Sequence, residues 1–432
     1  MANTRTPLYV AGLELVNIKC FAKASLRFDP DGTTPWAVIV GDNATGKTVL
    51  LRSLALGLCD QTSAAGLMKE SDEGYIRRPV REGSIVVDLF DRDAPQTTYR
   101  IRTTLTKIDT GETTFERLEQ ETEPREGFPW ERIFACAYGM GRAISGTGDV
   151  AGYSVINAVY NLFSYSEGLQ NPELSLRRLE DKAAVQMWLS SLATVLPVRE
   201  SGIHLLRSLT FDGRWGDEMP FRDLADGVRG TFLWTADLVG WAIAYNGAVD
   251  HPSKIRGVVL IDELEQHLHA TWQRDIVSKL QNLFPGIQFI ATTHSPLIAS
   301  SIGSLGRPTT RDKLYLCELD DDSQEVRIDS LETMQTYRFE QVLASRAFKY
   351  LIEANPALEG ALRRASELAD KGADRSPSEE REYSELKKQL ADAEFLWSAS
   401  SAQREIEQEE LSKLKDLVRR EEESVERKDD QD

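Results

Sequence analysis

No stretch of this sequence approaches the roughly 18 consecutive apolar residues of a helical membrane span, and the opening "MANTRTPLYV" lacks the basic-then-apolar layout of a secretion signal. Both absences lead us to expect a cytoplasmic protein with no membrane partner. Cysteine is equally scarce. Cys20, Cys59, Cys136 and Cys317 stand apart, with neither disulfide nor metal-ligand spacing, which excludes a disulfide scaffold and fits reduced thiols in a reducing compartment. There is no internal repeat and no long low-complexity tract.

At 432 residues the chain exceeds one ordinary core, which favours one large α/β body with appended pieces over several equal domains. A formal charge of -18 argues against a protein that coats nucleic acid by bulk electrostatics. Residues 376–432 hold 18 acidic and 10 basic side chains, so this tail carries -8 and the rest of the chain -10. A local basic groove stays open as a reading, with Arg77, Arg78 and Arg81 or Arg177 and Arg178 as candidates; the alternative is scattered solvated arginines.

Residues 8–29 alternate apolar and polar and read as two strands joined by a turn. "WAVIV" (36–40) is short and β-branched, as a buried strand is, and "KTVLLRSLALGL" after it has the period of a helix packed on a sheet. Residues 84–120 read as antiparallel strands, "RIFACAYG" as another strand, and 151–205 as a largely helical stretch. "IRGVVLID" and "QFIATTHS" are apolar strands with the helix "ATWQRDIVSKLQNLF" between them, the order of a βαβ unit in a parallel sheet. "KLYLCEL" and "EVRIDSL" make a hairpin across "DDDSQ". From about 336 the pattern is helical. The tail from 376 is strongly charged, with Leu386, Leu390, Leu411, Leu414 and Leu417 at helical spacing, and Ser376 or Ser378 is a candidate helix cap.

"GDNATGKT" (41–48) lies between the "WAVIV" strand and its helix. A phosphate cradle needs a turn with inward amides, small residues at the approach, a lysine, a hydroxyl for magnesium and a helix N-terminus behind. Gly41, Asp42, Asn43, Ala44, Thr45, Gly46, Lys47 and Thr48 supply that set. Magnesium held through Thr48 needs a carboxylate beyond it, and hydrolysis needs a group on the attacking water. "GVVLIDE" ends in two consecutive acids at the carboxyl end of a parallel strand, where open α/β sheets bind ligands. Asp262 is therefore assigned to magnesium and Glu263 to the water. His294, at the end of the neighbouring strand, is placed to reach a γ-phosphate or the water; its alternative is a turn residue before a helix that starts at Ser295 and Pro296. In "FRDLADGVRG", Asp226 and Gly227 sit at a helix N-terminus that favours an anion, or else begin an ordinary capped helix. His267 and His269 have no third ligand in view and are not read as a metal site.

These motifs, in this order, resemble the ABC-type ATPase heads of the RecF/SMC-like group, and within it the compact bacterial AAA-family (OLD/RecF-like) ATPases of Septu-type anti-phage defence. The resemblance covers almost the whole chain: "LELVNIKCF", "GDNATGKT" as Walker A, "AYGMGR" (137–142), "LADGVRG" as the signature loop, "VVLIDELEQHLH" as Walker B, "ATTHSP" as the switch histidine, and "FEQVLASRAF" before a charged helical tail. It implies an α/β P-loop fold of the ABC head type: a mixed sheet with an antiparallel β subdomain, a helical insert and a charged C-terminal helical tail. The implied layout is a head over 1–335 and a helical region over 336–432. The head comprises a Walker A lobe (1–120), a helical insert (151–205) and a signature and Walker B lobe (206–335).

The resemblance also implies ATP and Mg2+ as ligands, and two heads closing on two ATPs as a homodimer or higher oligomer. Lys47, Glu263 and His294 are its implied catalytic residues, with Glu263 resetting the closed state. The usual signature serine is Ala225 here, and one lost hydrogen bond to a charged phosphate costs roughly 1.5–3 kcal/mol of closure; Arg229 is the residue placed to offset it. Long coiled-coil arms are absent because residues 151–205 lack sustained heptads, and "ELDDDSQEV" reads as a hairpin turn rather than a nuclease site. Effector chemistry is therefore expected on a partner, such as a nuclease encoded nearby, with the tail as a docking element or a solvated helix hairpin. The resulting expectation is an ATP-hydrolysing regulatory or sensor subunit in bacterial defence. The alternative is a RecF-like repair ATPase that clamps DNA directly, while the loops look unlike those of transporter subunits.

Overall fold

The computed structural model describes residues 6–28, 34–70, 74–110, 114–144, 152–164, 168–177, 179, 182–205, 208–213, 216–247, 249, 251–303, 311–320 and 325–334, and beyond these only 342, 345, 347, 348, 364, 368, 376, 379 and 381–385. The chain divides into two compact units, Met1–Gln335 and Thr336–Asp432.

The first unit carries strands β1 (Leu8–Ile18), β2 (Phe21–Arg27), β3 (Trp36–Val40), β4 (Glu82–Asp91), β5 (Thr98–Asp109), β6 (Thr114–Glu123), β7 (Ala135–Tyr138), β8 (Val198–Leu205), β9 (Leu209–Gly213), β10 (Gly216–Pro220), β11 (Gly257–Ile261), β12 (Ile287–Thr293), β13 (Lys313–Asp320) and β14 (Glu325–Leu331). Its helices are α1 (Lys47–Leu58), α2 (Gln61–Met68), α3 (Val155–Val159), α4 (Pro172–Arg177), α5 (Lys182–Ala193), α6 (Asp226–Asn246), α7 (Ala270–Leu283) and α8 (Pro296–Ser301).

Among the described residues the strands form three sheets. The central one runs β14-β13-β3-β12-β11-β7, parallel except for the β13–β14 hairpin. Its middle strands are unbroken apolar runs: all five residues of β3, all five of β11 and all seven of β12 are buried, as strands covered on both faces must be. The second sheet, β2-β1-β4-β5-β6, is antiparallel. Helix α1 packs against strands of both sheets and shares one apolar core with them. A buried amide joins the sheets directly: Gln288 of β12 accepts from the Val10 N–H at 2.9 Å and donates to the Val10 carbonyl at 3.0 Å. Trp36 stacks on Phe289 with ring centroids 4.4 Å apart, fixing β3 beside β12.

The largely helical reading of 151–205 holds for α3, α4 and α5 but fails at its end. Val198–Leu205 is β8, part of a small antiparallel sheet β10-β9-β8. Short strands of this kind gain stability from cross-strand pairing, here with β9, and their local sequence does not announce it.

In the second unit Val342, Ala347, Phe348 and Leu368 are buried, and Arg364 pairs with Glu382 at 2.9 Å. Ser376 and Glu379 form a reciprocal capping box, with the Glu379 N–H donating to Ser376 Oγ at 3.3 Å and the Ser376 N–H to the Glu379 carboxylate at 2.9 Å. Ser378, the five tail leucines and most of "FEQVLASRAF" lie outside the described residues.

Candidate active site

From Val40 the chain turns through residues 41–46 into α1, with Gly41, Ala44 and Gly46 at φ 155°, 63° and 93°. A Cβ on Gly41 would stand 2.1 Å from the Cys317 carbonyl oxygen, and one on Gly46 2.4 Å from Cys20 Sγ. Glycine is required at both. The turn is tied from within. Thr45 Oγ1 donates to the Asp42 carbonyl at 2.8 Å, the Asn43 N–H to Asp42 Oδ1 at 2.6 Å, and Cys317 Sγ to the Thr45 carbonyl at 3.0 Å. Lys47 Nζ folds back onto the Gly41 and Asp42 carbonyls at 3.0 and 2.7 Å, and burial lowers its pKa.

The acids arrive from β11. Thr48 Oγ1 donates to Asp262 Oδ2 at 2.7 Å, and Thr292 Oγ1 to Asp262 Oδ1 at 2.6 Å. Asp262 is 3% exposed, a buried carboxylate whose two oxygens both accept a hydrogen bond. Two oxygens in adjacent octahedral positions around magnesium, each at about 2.1 Å, stand about 3 Å apart. The Thr48 hydroxyl and Asp262 carboxylate therefore fit such an ion. Glu263 follows with a left-handed backbone (φ 48°) and its N–H on Thr292 Oγ1 at 2.9 Å. Burial raises its pKa, and the charges of Asp262 and Glu265 raise it further.

A cavity of about 330 Å³ brings these groups together: Asn43, Ala44, Gly46, Lys47, Thr48, Asp262, Glu263 and His294 all line it, with Lys19 and Cys20 beside them. Gly41, Asp42 and Thr45 do not line it; they hold the turn. His294 is placed by its backbone, the N–H donating to one Glu265 carboxylate oxygen while Thr293 Oγ1 donates to the other at 2.7 Å. Ser295 caps α8 and Pro296 opens it, so the turn-residue description of His294 holds alongside its place in the cavity.

Asp226 and Gly227 do not line this cavity. They open α6, whose N-cap is Ala225 with no side-chain cap, so the ordinary capped helix is not what forms. Asp226 pairs with Arg229, and a Cβ on Gly227 would meet the His267 carbonyl oxygen at 2.1 Å, so this helix end lies directly against the segment after the acids. His269 caps α7 through its ring, accepting from the Thr271 N–H. Among the described residues no group of three or more His, Cys, Asp and Glu side chains could hold a metal. A larger cavity, about 790 Å³, lies by α2, β5 and β6 and carries Lys69, Arg78 and Lys107. Its one acid, Glu116, has both oxygens engaged by the Tyr75 and Ile76 amides. Arg77 donates to the Cys20 carbonyl and reaches Glu325; Arg81 and Arg177 are exposed, and Arg178 lies outside the described residues.

Residues 158–300 match the family described as "AAA domain, putative AbiEii toxin, Type IV TA system". The chain is 27% identical over 296 residues to the Septu protein PtuA of Bacillus mycoides (strain KBAB4), covering 67% of this chain and 38% of that protein. It is 39% identical over 89 residues to the "Retron Vc95 probable ATPase" of Vibrio cholerae, 21% of this chain and 17% of that protein. The chain thus spans less than two fifths of the length of these relatives. An SMC head solved with the C-terminal winged-helix domain of ScpA superposes with a TM-score of 0.46 at 14% identity, over 76% of this chain and 99% of that one. The sheet order and the AAA-domain match give the fold as a P-loop α/β ATPase fold of the ABC head type. Within this head, three residues near the acids carry no role in the sequence reading: Arg142, Thr292 and Glu265. Each acts through its side chain, in part on backbone groups of other segments, which is why residue type alone did not mark them; Arg142 stands in the loop after β7, Thr292 near the end of β12 and Glu265 inside the "DELEQH" turn.

Proposed function

We propose that this head binds ATP with magnesium at the 330 Å³ cavity and hydrolyses it, and that this cycle regulates a partner effector in anti-phage defence. One observation carries the reading: Lys47, Thr48, Asp262, Glu263 and His294, from three separate segments, line one cavity. The turn amides and Lys47 receive the β- and γ-phosphates, while Thr48 and Asp262 hold magnesium. Magnesium, when bound, neutralises charge on the phosphate oxygens. Glu263 accepts the proton of the attacking water, a task that a carboxylate with raised pKa performs better near neutral pH. His294, which lines the same cavity, donates to the γ-phosphate.

Closure of two heads supplies the rest of the site. The first turn of α6 has no side-chain cap, so its amides at Asp226 and Gly227 are suited to the γ-phosphate of ATP held by a second head. The relatives are a Septu protein and retron ATPase from defence systems, which supports a defence role and an effector, such as a nuclease, on another chain. Phosphate release and binding of a fluorescent ATP analogue test the chemistry. Lys47→Ala is expected to lose both; Glu263→Gln is expected to keep binding and lose turnover by on the order of 100-fold or more. Turnover undiminished in Glu263→Gln would refute the assignment of the base.

A further inference from the structure

Glu263 has an unusual backbone conformation, and the peptide groups on either side of it are bonded by Arg142 and Thr292. The two peptide planes on either side of the Glu263 Cα define its φ and ψ, hence the direction in which its side chain leaves. Both planes are clamped from two sides. On the first plane, the Asp262 carbonyl accepts from Arg142 Nη2 at 2.7 Å, and the Glu263 N–H donates to Thr292 Oγ1 at 2.9 Å. On the second, the Glu263 carbonyl accepts from the same Arg142 Nη2 at 3.0 Å, and the Leu264 N–H donates to the Thr292 carbonyl at 3.0 Å. The result is a left-handed glutamate, φ 48°, which a non-glycine residue keeps only when its surroundings enforce it.

Arg142 is unlike a surface arginine. Its third hydrogen bond, Nε to the Gly139 carbonyl at 3.2 Å, closes its own loop after β7. It makes no ion pair among the described residues; its donors go to carbonyls. Burial lowers its pKa to about 10, yet the nearby charges of Asp262, Glu265 and Glu263 favour its charged form. The loop that presents it is fixed in turn. The Gly139 N–H donates to Asn161 Oδ1 at 2.9 Å, Asn161 Nδ2 donates to the Gly141 carbonyl at 2.7 Å, and Gln266 Nε2 donates to the Met140 carbonyl at 3.0 Å. Nη2 makes both bonds to consecutive carbonyls while Nε of the same rigid plane is tied to the Gly139 carbonyl, so the guanidinium is fixed at two nitrogens; a lysine ammonium, with one nitrogen, cannot reproduce that bracket.

We propose that Arg142 is a positioning residue for hydrolysis: by clamping the Asp262 and Glu263 carbonyls it enforces the backbone that aims the Glu263 carboxylate into the cavity. This rests on the reading of Glu263 as the base. Orientation and charge are separable. Arg142→Lys keeps the charge and loses the bracket; Arg142→Gln loses both.

The test measures ATP-analogue affinity, turnover against pH and melting temperature for the wild type, Arg142→Lys, Arg142→Gln and Glu263→Gln. Arg142→Lys is expected to bind nucleotide within about twofold of wild type, to lose turnover on the order of 100-fold, the scale of a displaced catalytic group, and to keep the acid limb of its pH profile in place. Arg142→Gln is expected to lose turnover similarly with its acid limb moved to higher pH, because a positive charge near Glu263 is gone. Should Arg142→Gln not fold, Arg142→Lys alone decides the matter. Wild-type turnover in Arg142→Lys beside an inactive Glu263→Gln would overturn this inference alone. So would a failure of Arg142→Lys to fold or a parallel loss of binding and turnover, since either makes the residue merely structural. Undiminished turnover in Glu263→Gln would overturn the base reading and this inference with it.

Discussion

Charge in the site is set by a few carboxylates in close sequence. Glu263 feels Asp262 and Glu265 as well as its own burial, all of which raise its pKa. Glu265→Gln removes one of these charges while keeping an oxygen for the His294 N–H, so the acid limb of ATP turnover is expected to move to lower pH; a limb that stays put or moves upward would contradict this electrostatic account. A second carboxylate lies deeper. Asp237, inside α6, accepts from Tyr138 Oη at 3.1 Å and the Gln170 N–H at 2.9 Å, and burial pushes its pKa up to about 7 despite those donors. The folded value lies above the unfolded value near 4, so the folded chain binds this proton more tightly. The group's stabilising contribution is full below about pH 4 and is lost as pH rises through about 7. Asp237→Asn is therefore expected to gain stability relative to the wild type between about pH 5 and 8, by on the order of 3 kcal/mol in chemical denaturation. A difference that does not change with pH would refute a raised pKa.

The elements divide by how their stability arises. Strands β3, β11 and β12 and helices α1 and α7 were legible in the sequence because each buries a continuous run or a periodic face, a signal that is local. The turn at 41–48 was legible from its motif and spacing, also a local signal, although the atoms that leave no room for a Cβ at Gly41 and Gly46 belong to the distant Cys317 and Cys20. Strand β8 was not, since its pairing with β9 is what stabilises it. Nor were the roles of Arg142 and Thr292, because both bind backbone groups of a segment more than a hundred, or about thirty, residues away in sequence. Ala225 marks a deficiency at the level of the helix. It occupies the N-cap of α6 with φ -57° and ψ 144°, a conformation in which a serine side chain would accept a first-turn N–H. Ala225→Ser is expected to stabilise the head by about 1 kcal/mol, read as a rise in melting temperature without nucleotide; no rise would mean that the first-turn amides are already satisfied.

At the scale of the whole molecule, the residues proposed to bind ATP line one cavity, while the first turn of α6, which has no side-chain cap, lies outside that lining. Among the described residues no helix is long and apolar enough to cross a membrane. The proposed switch depends on association between heads. Its most direct test is the mass in solution of the Glu263→Gln protein with and without ATP and magnesium, because blocking hydrolysis holds the ATP-bound state. The expected result is a nucleotide-dependent rise in mass, absent in a Lys47→Ala, Glu263→Gln double variant. A mass that is the same with and without ATP and magnesium would contradict a switch built on closure of two heads.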